Sequence, residues 1–193
     1  MFDVAIIGAG VVGALTAREL TRYKLSVCLL EKENDVACGA SKANSGIIHG
    51  GFDPEPGTLK AKLNAEGVPL LYKTARELNV PHKNNGSMVL AFGKEEDTII
   101  DELYERGIKS GIRGMDILSG TEARRLESNL SDKVTKALLV TNAGIICPYA
   151  LTIAAVGNAM DNGAELRTNY EVTAIVRAED GFRVCSADGR QIT

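Results

Sequence analysis

Short apolar runs and longer segments with helical spacing alternate along the first part of the chain. Residues 2–8 ("FDVAIIG") predict a short buried strand, because they have no polar face, and residues 25–32 ("LSVCLLEK") predict a second strand. Residues 11–23 predict a helix between them. Strand, tight turn, helix and strand within about 30 residues predict a right-handed βαβ unit.

The next stretch, residues 37–57, is dense in Gly, Ser and Asn and predicts a long loop, which in a compact domain usually carries function. Leucine spacing predicts a helix over 58–78, which Pro69 should kink or split. The pattern then predicts, in order, a strand over 86–92, an amphipathic helix over 94–111, a short Ser- or Thr-capped helix over 119–128, a strand over 134–144, and a helix from Pro148 to about Asn162.

The tail, residues 164–193, alternates apolar and polar positions and has turn signals at 179–181 and 187–189. This pattern predicts an antiparallel meander. Residues 191–193 resemble the start of a strand, so we expect a truncated chain or a natural fragment.

Composition and charge restrict the class of partner. The 193 residues are 45% hydrophobic, and the formal net charge of -3 with no long basic run argues against nucleic acid. The uncharged run from Val4 is shorter than the roughly 18 to 20 apolar residues that span a bilayer, and no basic segment precedes it. We therefore expect a cytoplasmic protein, with peripheral membrane contact left open.

The cysteines and histidines predict neither a metal site nor a disulfide framework. Cys28, Cys38, Cys147 and Cys185 are far apart and form no C-x-x-C pair, so we expect four reduced, mostly buried thiols. Only two histidines are present to add imidazole ligands.

A glycine pattern carries the chemistry of the βαβ unit. Gly8, Gly10 and Gly13 form G-x-G-x-x-G between strand and helix, and Glu31 ends the second strand. In such a unit the glycines allow a tight turn, close approach of a pyrophosphate and close helix packing. The acid accepts hydrogen bonds from ribose hydroxyls and disfavours NADP. The motif alone does not distinguish an NAD site from an FAD site. It also leaves the alternative that the three glycines serve only the tight turn and bind no ligand.

Beyond this motif, the sequence resembles flavin oxidoreductases of the D-amino-acid oxidase type. The branch is that of FAD-dependent glycerol-3-phosphate dehydrogenases and L-2-hydroxyglutarate dehydrogenases or oxidases. The segments that carry the resemblance, over nearly the whole chain, are "LLEK" with Glu31, "GAS" at 39–41, "NSGIIHGG" at 44–51, "PGTLKAKLNAEG" from Pro56, "GIICPYALTIAAVGNAMDNGAEL" and "YEVTAIV". Pro69 departs from the pattern of similar proteins, which puts the local helix geometry in doubt.

The resemblance implies a fold and a set of FAD contacts. The fold is α/β, an FAD/NAD(P)-binding Rossmann-like domain of parallel sheet and antiparallel meander, with an inserted partial α+β substrate domain. The loop over 39–51 is expected to follow the pyrophosphate, ribityl chain and isoalloxazine. The expected cofactor-binding residues are Gly8, Gly10, Val11, Gly13, Glu31, Lys32, Ser41, Asn44, Ser45, Gly46, His49, Gly50 and Val172.

His49 has two interpretations. Beside a flavin, its imidazole can accept the proton of a substrate hydroxyl while hydride leaves for flavin N5. Alternatively, it hydrogen-bonds the loop backbone and shapes the flavin pocket. His82, in a polar stretch beside Pro81, is expected to be exposed, and Lys60 and Lys62 are expected on a solvated helix face.

The resemblance also implies domains and activity. We expect a first part of an FAD-binding domain over 1–82, a partial substrate domain over 83–143 and a return to the FAD domain over 144–193. The expected activity is oxidation of a small anionic hydroxy compound, glycerol 3-phosphate or a 2-hydroxy acid, with electrons passed to an unknown acceptor and an iron–sulfur module as a possible further partner. The alternatives are an NAD-dependent dehydrogenase and a non-catalytic dinucleotide-binding fragment or subunit. The chain alone is expected to bind FAD weakly or partially and to turn over little.

Overall fold

A computed structural model describes all residues, 1–193, which form twelve strands and five helices. The helices are α1 (Val11–Leu20), α2 (Leu59–Glu77), α3 (Lys94–Lys109), α4 (Gly120–Leu126) and α5 (Pro148–Asp161). The strands are β1 (Val4–Ile7), β2 (Val27–Leu30), β3 (Ile47–Ile48), β4 (His82–Lys83), β5 (Ser87–Ala91), β6 (Met115–Ser119), β7 (Lys136–Val140), β8 (Gly144–Ile146), β9 (Glu165–Arg167), β10 (Val172–Ala178), β11 (Gly181–Ser186) and β12 (Gln191–Ile192). The chain divides into two compact units.

The first unit comprises residues 1–45, 78–80 and 147–193 and has three layers. Its parallel sheet has the order β1-β2-β9. Alternate residues of β2 enter different cores, because successive side chains of a strand point to opposite faces. Val27 and Leu29 pack with small residues of α1 and α5, whereas Cys28 and Leu30 pack with the antiparallel meander β10-β11-β12.

Two sequence expectations for the first unit need correction. Strand β1 is not fully buried: Ala5 and Ile7 are exposed on one face, although the sequence offers no polar residue there. Residues 165–167 do not belong to the meander, because β9 pairs in parallel with β2. The meander itself, with its two predicted turns, is confirmed over β10, β11 and β12.

The second unit comprises residues 46–77 and 81–146. An antiparallel sheet of order β5-β7-β6 contributes Ala91, Met115, Leu138 and Val140 to its core, and α3 contributes Ile100. A smaller sheet of order β3-β8-β4 contains the only strand within the long glycine-rich loop. Strands β3, β4, β6 and β8 were not predicted from the sequence.

The helices of the second unit follow local rules. Helix α3 has three acidic residues in its first turn, where the helix dipole favours negative charge. Ser119 caps α4 and forms a capping box with Glu122, as predicted. Helix α2 continues through Pro69 without being split.

Other expectations differ from the structure. The compact units do not follow the predicted segments, since residues 46–77 group with 81–146, and the assignment of segments to cofactor and substrate domains stays a prediction. Cys28 is buried but Cys147 is exposed, so the thiols are not mostly buried. His82 is half-buried in β4, with its ring 5.9 Å from that of Tyr72.

None of the five helices is both long enough and apolar enough to span a membrane.

Candidate functional site

A different steric feature of the first unit explains why each of the three motif positions is a glycine. Gly8 has a φ of +100°, a conformation that L side chains rarely adopt. A Cβ on Gly13 would lie 2.0 Å from the carbonyl oxygen of Gly8, so α1 packs against the turn at backbone distance. A Cβ on Gly10 would lie 3.1 Å from Ser41 Oγ. The turn is therefore shaped by close approach of backbone and of the Ser41 hydroxyl.

Several hydrogen-bond donors converge at the N-terminus of α1. The Val11 N–H donates to Ser41 Oγ at 2.8 Å. The N–H groups of Gly10, Val12 and Gly13 have no partner in the protein, and neither does the hydroxyl hydrogen of Ser41. Open amides at a helix N-terminus, at the positive end of the helix dipole, bind anions such as phosphate. Ser41 satisfies one amide and offers a hydroxyl donor in its place.

Glu31 is held at the carboxyl end of β2, only 8% exposed. Its Oε2 accepts from the Ala9 N–H at 2.7 Å, and its Oε1 accepts from the Glu33 N–H at 3.0 Å. Its backbone N–H donates to the Arg167 carbonyl at 2.9 Å, which ties the residue to β9. Each carboxylate oxygen retains acceptor capacity, so Glu31 can also accept from hydroxyl groups of a ligand.

Two predicted residues of the first unit lie away from this cluster of hydrogen bonds. Lys32 is exposed, with its Nζ 3.7 Å from the Glu33 carboxylate. Val172, at the start of β10, is half-buried and packs against the core beneath the meander.

The loop that carries Ser41 is folded by its own side chains. Asn44 Nδ2 donates to the carbonyl oxygens of Ala40 and Ser41, both at 3.1 Å. Ser45 is exposed and makes no side-chain hydrogen bond. Asn44 therefore shapes the loop around Ser41.

The remaining predicted residues lie in the second unit. The Gly46 carbonyl accepts from the Ile146 N–H at 2.8 Å, and the Gly50 carbonyl accepts from Asn142 Nδ2 at 3.1 Å. A Cβ on Gly50 would lie 2.3 Å from Val140 Cγ1, which explains the glycine sterically. His49 is exposed and its side chain hydrogen-bonds nothing in the protein, so the bond to loop backbone required by the pocket-shaping interpretation is absent.

Sequence reasoning missed the residues that hold this backbone. Asn142, in the turn between β7 and β8, fixes the carbonyl next to His49, and the Tyr72 hydroxyl donates to the Asn142 carbonyl at 3.3 Å. Burial raises the pKa of Tyr72, so this hydroxyl remains a donor at neutral pH. The sequence pattern placed Asn142 inside a strand over 134–144, and its contact with a residue 92 positions away leaves no local signal.

The buried thiol beside the parallel sheet is unsuited to nucleophilic chemistry. Burial raises the pKa of Cys28 to about 11, so the thiol stays protonated at neutral pH. The polar groups that face outward at the N-terminus of α1 are the open helix amides and the Ser41 hydroxyl.

The parallel sheet, the glycine turn with open amides and the acid at the end of β2 define the class: an α/β protein with the FAD- or NAD(P)-binding fold. The sequence profile described as "DAO: FAD dependent oxidoreductase" matches residues 3–193. The chain belongs to this family of FAD-dependent oxidoreductases, which decides for FAD over NAD.

Two curated relatives illustrate the branch. The chain is 48% identical over 184 residues to a glycerol 3-phosphate dehydrogenase of Caloramator mitchellensis, covering 95% of this chain and 38% of that enzyme. It is 36% identical over 174 residues to a mitochondrial L-2-hydroxyglutarate dehydrogenase of Nematostella vectensis, covering 89% of this chain and 38% of that enzyme.

The fold matches a solved flavoprotein. Dithionite-reduced L-α-glycerophosphate oxidase from Mycoplasma pneumoniae with FAD bound superposes with a TM-score of 0.93 at 34% identity, over 97% of this chain and 50% of that chain. The chain thus spans half or less of the length of these relatives.

Proposed function

We propose that this chain is the FAD-binding part of a dehydrogenase that oxidises a small anionic hydroxy compound, either glycerol 3-phosphate or a 2-hydroxy acid. The observation that carries the proposal is the set of open donors at the N-terminus of α1. The buried Glu31 is tied to the same turn, because its Oε2 accepts a hydrogen bond from the Ala9 N–H. The names of the relatives support the substrate class, and the greater identity to a glycerol 3-phosphate dehydrogenase favours glycerol 3-phosphate.

The donor set fits the ADP part of FAD. The amides of Gly10, Val12 and Gly13 and the Ser41 hydroxyl would hold the diphosphate, because they are donors without protein partners. Glu31 would accept from ribose hydroxyls, and its negative charge would exclude a 2′-phosphate. The Lys32, Asn44, Ser45, Gly46, Gly50 and Val172 contacts expected from the resemblance remain part of the proposal.

Bound FAD would supply the acceptor for the hydride, which carries both electrons of the oxidation. His49 would take the hydroxyl proton of the substrate, for which its exposed imidazole is available. The proposed partners are therefore the small anionic substrate and a separate electron acceptor. An iron–sulfur domain or subunit is one candidate for this acceptor.

Titration of the purified chain with FAD tests the proposal. We expect saturable binding of one FAD, seen as quenching of flavin fluorescence with a Kd below about 100 µM, and no comparable binding of NADP. Failure of FAD to bind at millimolar concentration would contradict the assignment of the donor set to the diphosphate.

Replacing Ser41 with alanine should weaken FAD binding about tenfold. The substitution removes the hydroxyl donor and leaves the Val11 amide without its partner, a combined loss of roughly 1 to 2 kcal/mol. Ser128→Ala is the control, because Ser128 is exposed, makes no side-chain hydrogen bond and is not among the proposed FAD contacts. Equal effects of the two substitutions would show that Ser41 has no special role in holding FAD.

Replacing His49 with asparagine should slow substrate oxidation without loosening FAD. A positioned proton acceptor contributes roughly 10²- to 10⁴-fold to rate, whereas the side chain holds nothing in the protein. Anaerobic stopped-flow reduction of the FAD-loaded protein by glycerol 3-phosphate, alongside the FAD titration, separates the two quantities. A weaker Kd for FAD with an unchanged reduction rate would refute the proton-acceptor role.

A further inference from the structure

His49 has no side-chain anchor, so the backbone on either side of it decides where its imidazole lies. The side chain is exposed and hydrogen-bonds nothing in the protein. On the N-terminal side the backbone is held, because Ile48 pairs with Gly144 between β3 and β8. On the C-terminal side two glycines follow, and glycine is the residue with the greatest backbone freedom. The backbone of residues 49–51 therefore needs an anchor of its own.

Asn142 supplies that anchor. Its Nδ2 donates to the Gly50 carbonyl oxygen at 3.1 Å, and no other hydrogen bond of the protein reaches residues 49–51. The contact is also steric, since a Cβ on Gly50 would lie 2.7 Å from Asn142 Oδ1. Asn142 and Gly50 therefore fit each other: the glycine leaves room for the amide, and the amide orients the glycine carbonyl.

The other half of the Asn142 amide shows why stability alone does not explain this residue. Its Oδ1 is buried and has no hydrogen-bond partner. A buried acceptor without a partner costs free energy, and leucine has nearly the same shape without that oxygen. Orienting the Gly50 carbonyl, in contrast, requires the N–H groups that only the amide provides.

We propose that Asn142 is a positioning residue, which holds the segment 49–51 in one conformation and thereby presents the His49 imidazole for proton transfer. The inference rests on the proposed role of His49 and adds a residue that acts through it. A proton acceptor is effective only within hydrogen-bonding reach of the proton, and a mobile segment spends only part of its time there. The Tyr72 hydroxyl, which donates to the Asn142 carbonyl at 3.3 Å, ties the anchor to α2.

Nuclear magnetic resonance relaxation of the chain tests the anchor without FAD or substrate. The backbone order parameters of Gly50 and Gly51 should be about 0.85 in the parent chain and fall below about 0.6 in Asn142→Ala. Asn142→Leu keeps the shape of the side chain and removes the donor, so it should give the same fall even if the alanine variant does not fold. Unchanged order parameters in folded Asn142→Leu overturn the proposal.

Asn84→Ala is the matched control. With its amide nitrogen toward them, Asn84 donates to the Thr141 and Ala143 carbonyls at 2.7 and 2.8 Å, so it holds the same turn between β7 and β8. It makes no hydrogen bond to residues 49–51. Its loss should leave the order parameters of Gly50 and Gly51 within about 0.1 of the parent values. An equal fall in this control would attribute the motion to general loosening of the turn and would overturn the assignment to Asn142.

A double-mutant cycle links the anchor to the reaction. In the FAD-saturated chain, Asn142→Leu should slow anaerobic flavin reduction by glycerol 3-phosphate about tenfold, and adding it to His49→Asn should slow reduction no further. Additive effects of the two substitutions would overturn action through His49. An unchanged rate in His49→Asn alone would overturn the proposed function and the catalytic part of this inference, whereas a fall in the order parameters would still support the anchoring part.

Discussion

Replacing Gly13 with alanine is expected to destabilise the first unit and to abolish FAD binding. The new Cβ would lie 2.0 Å from the Gly8 carbonyl oxygen, a backbone atom that cannot rotate away. Separating α1 from the turn should cost about 3 kcal/mol and lower Tm by roughly 6 to 12 °C. Thermal unfolding by circular dichroism and FAD titration measure both effects.

Gly157→Ala is the control for this prediction. Gly157 is also inside a helix of the first unit, α5, but a Cβ there meets no atom within 4 Å. Alanine should therefore stabilise the chain by about 0.5 to 1 kcal/mol through its helix propensity. Equal destabilisation by both substitutions would mean that the contact of Gly13 with Gly8 does not explain the effect.

Replacing Glu31 with alanine is expected to weaken FAD binding about 10- to 100-fold. The variant loses the proposed acceptor for ribose and also leaves the Ala9 N–H, which is fully buried, without a partner. The orphaned amide alone should lower the free energy of unfolding by about 1 to 3 kcal/mol. Isothermal titration with FAD and urea unfolding measure the two losses separately.

Two variants separate the charge of Glu31 from its geometry. Glu31→Gln keeps one acceptor oxygen for the Ala9 N–H and should lose less stability than the alanine variant. It should still bind FAD, but more weakly than the unsubstituted chain. Glu33→Ala removes the exposed neighbouring carboxylate and should change neither quantity. Unchanged FAD affinity in Glu31→Ala would contradict the proposed contact with ribose.

The glycine turn was predictable from sequence because its determinants are local. Gly8, Gly10, Gly13 and Glu31 lie within 24 residues, and each glycine has a steric reason in the structure. The contact of Ser41 with Val11 was not predicted, although both residues were expected near the cofactor. The spacing of 30 residues across an irregular loop gives no pattern from which such a bond can be inferred.

The errors share a physical cause. Residues 165–167 alternate like a meander strand, and only their partner, β2, makes them part of the parallel sheet. Similarly, the apolar composition of β1 predicted burial, whereas the exposure of Ile7 depends on which segment covers it. Pairing and coverage are tertiary properties that alternation in a short segment does not encode.

The pairing of β2 with β9 also constrains how the molecule forms during translation. Cys28 meets Glu165, so the two strands leave the ribosome on the order of ten seconds apart at about 5 to 20 residues per second. Most of the intervening sequence belongs to the second unit, which is nearly continuous and can fold in that interval. Until β9 arrives, the β2 edge of the nascent β1–β2 pair stays unpaired, and unpaired strand edges with apolar side chains make partly folded chains prone to aggregation.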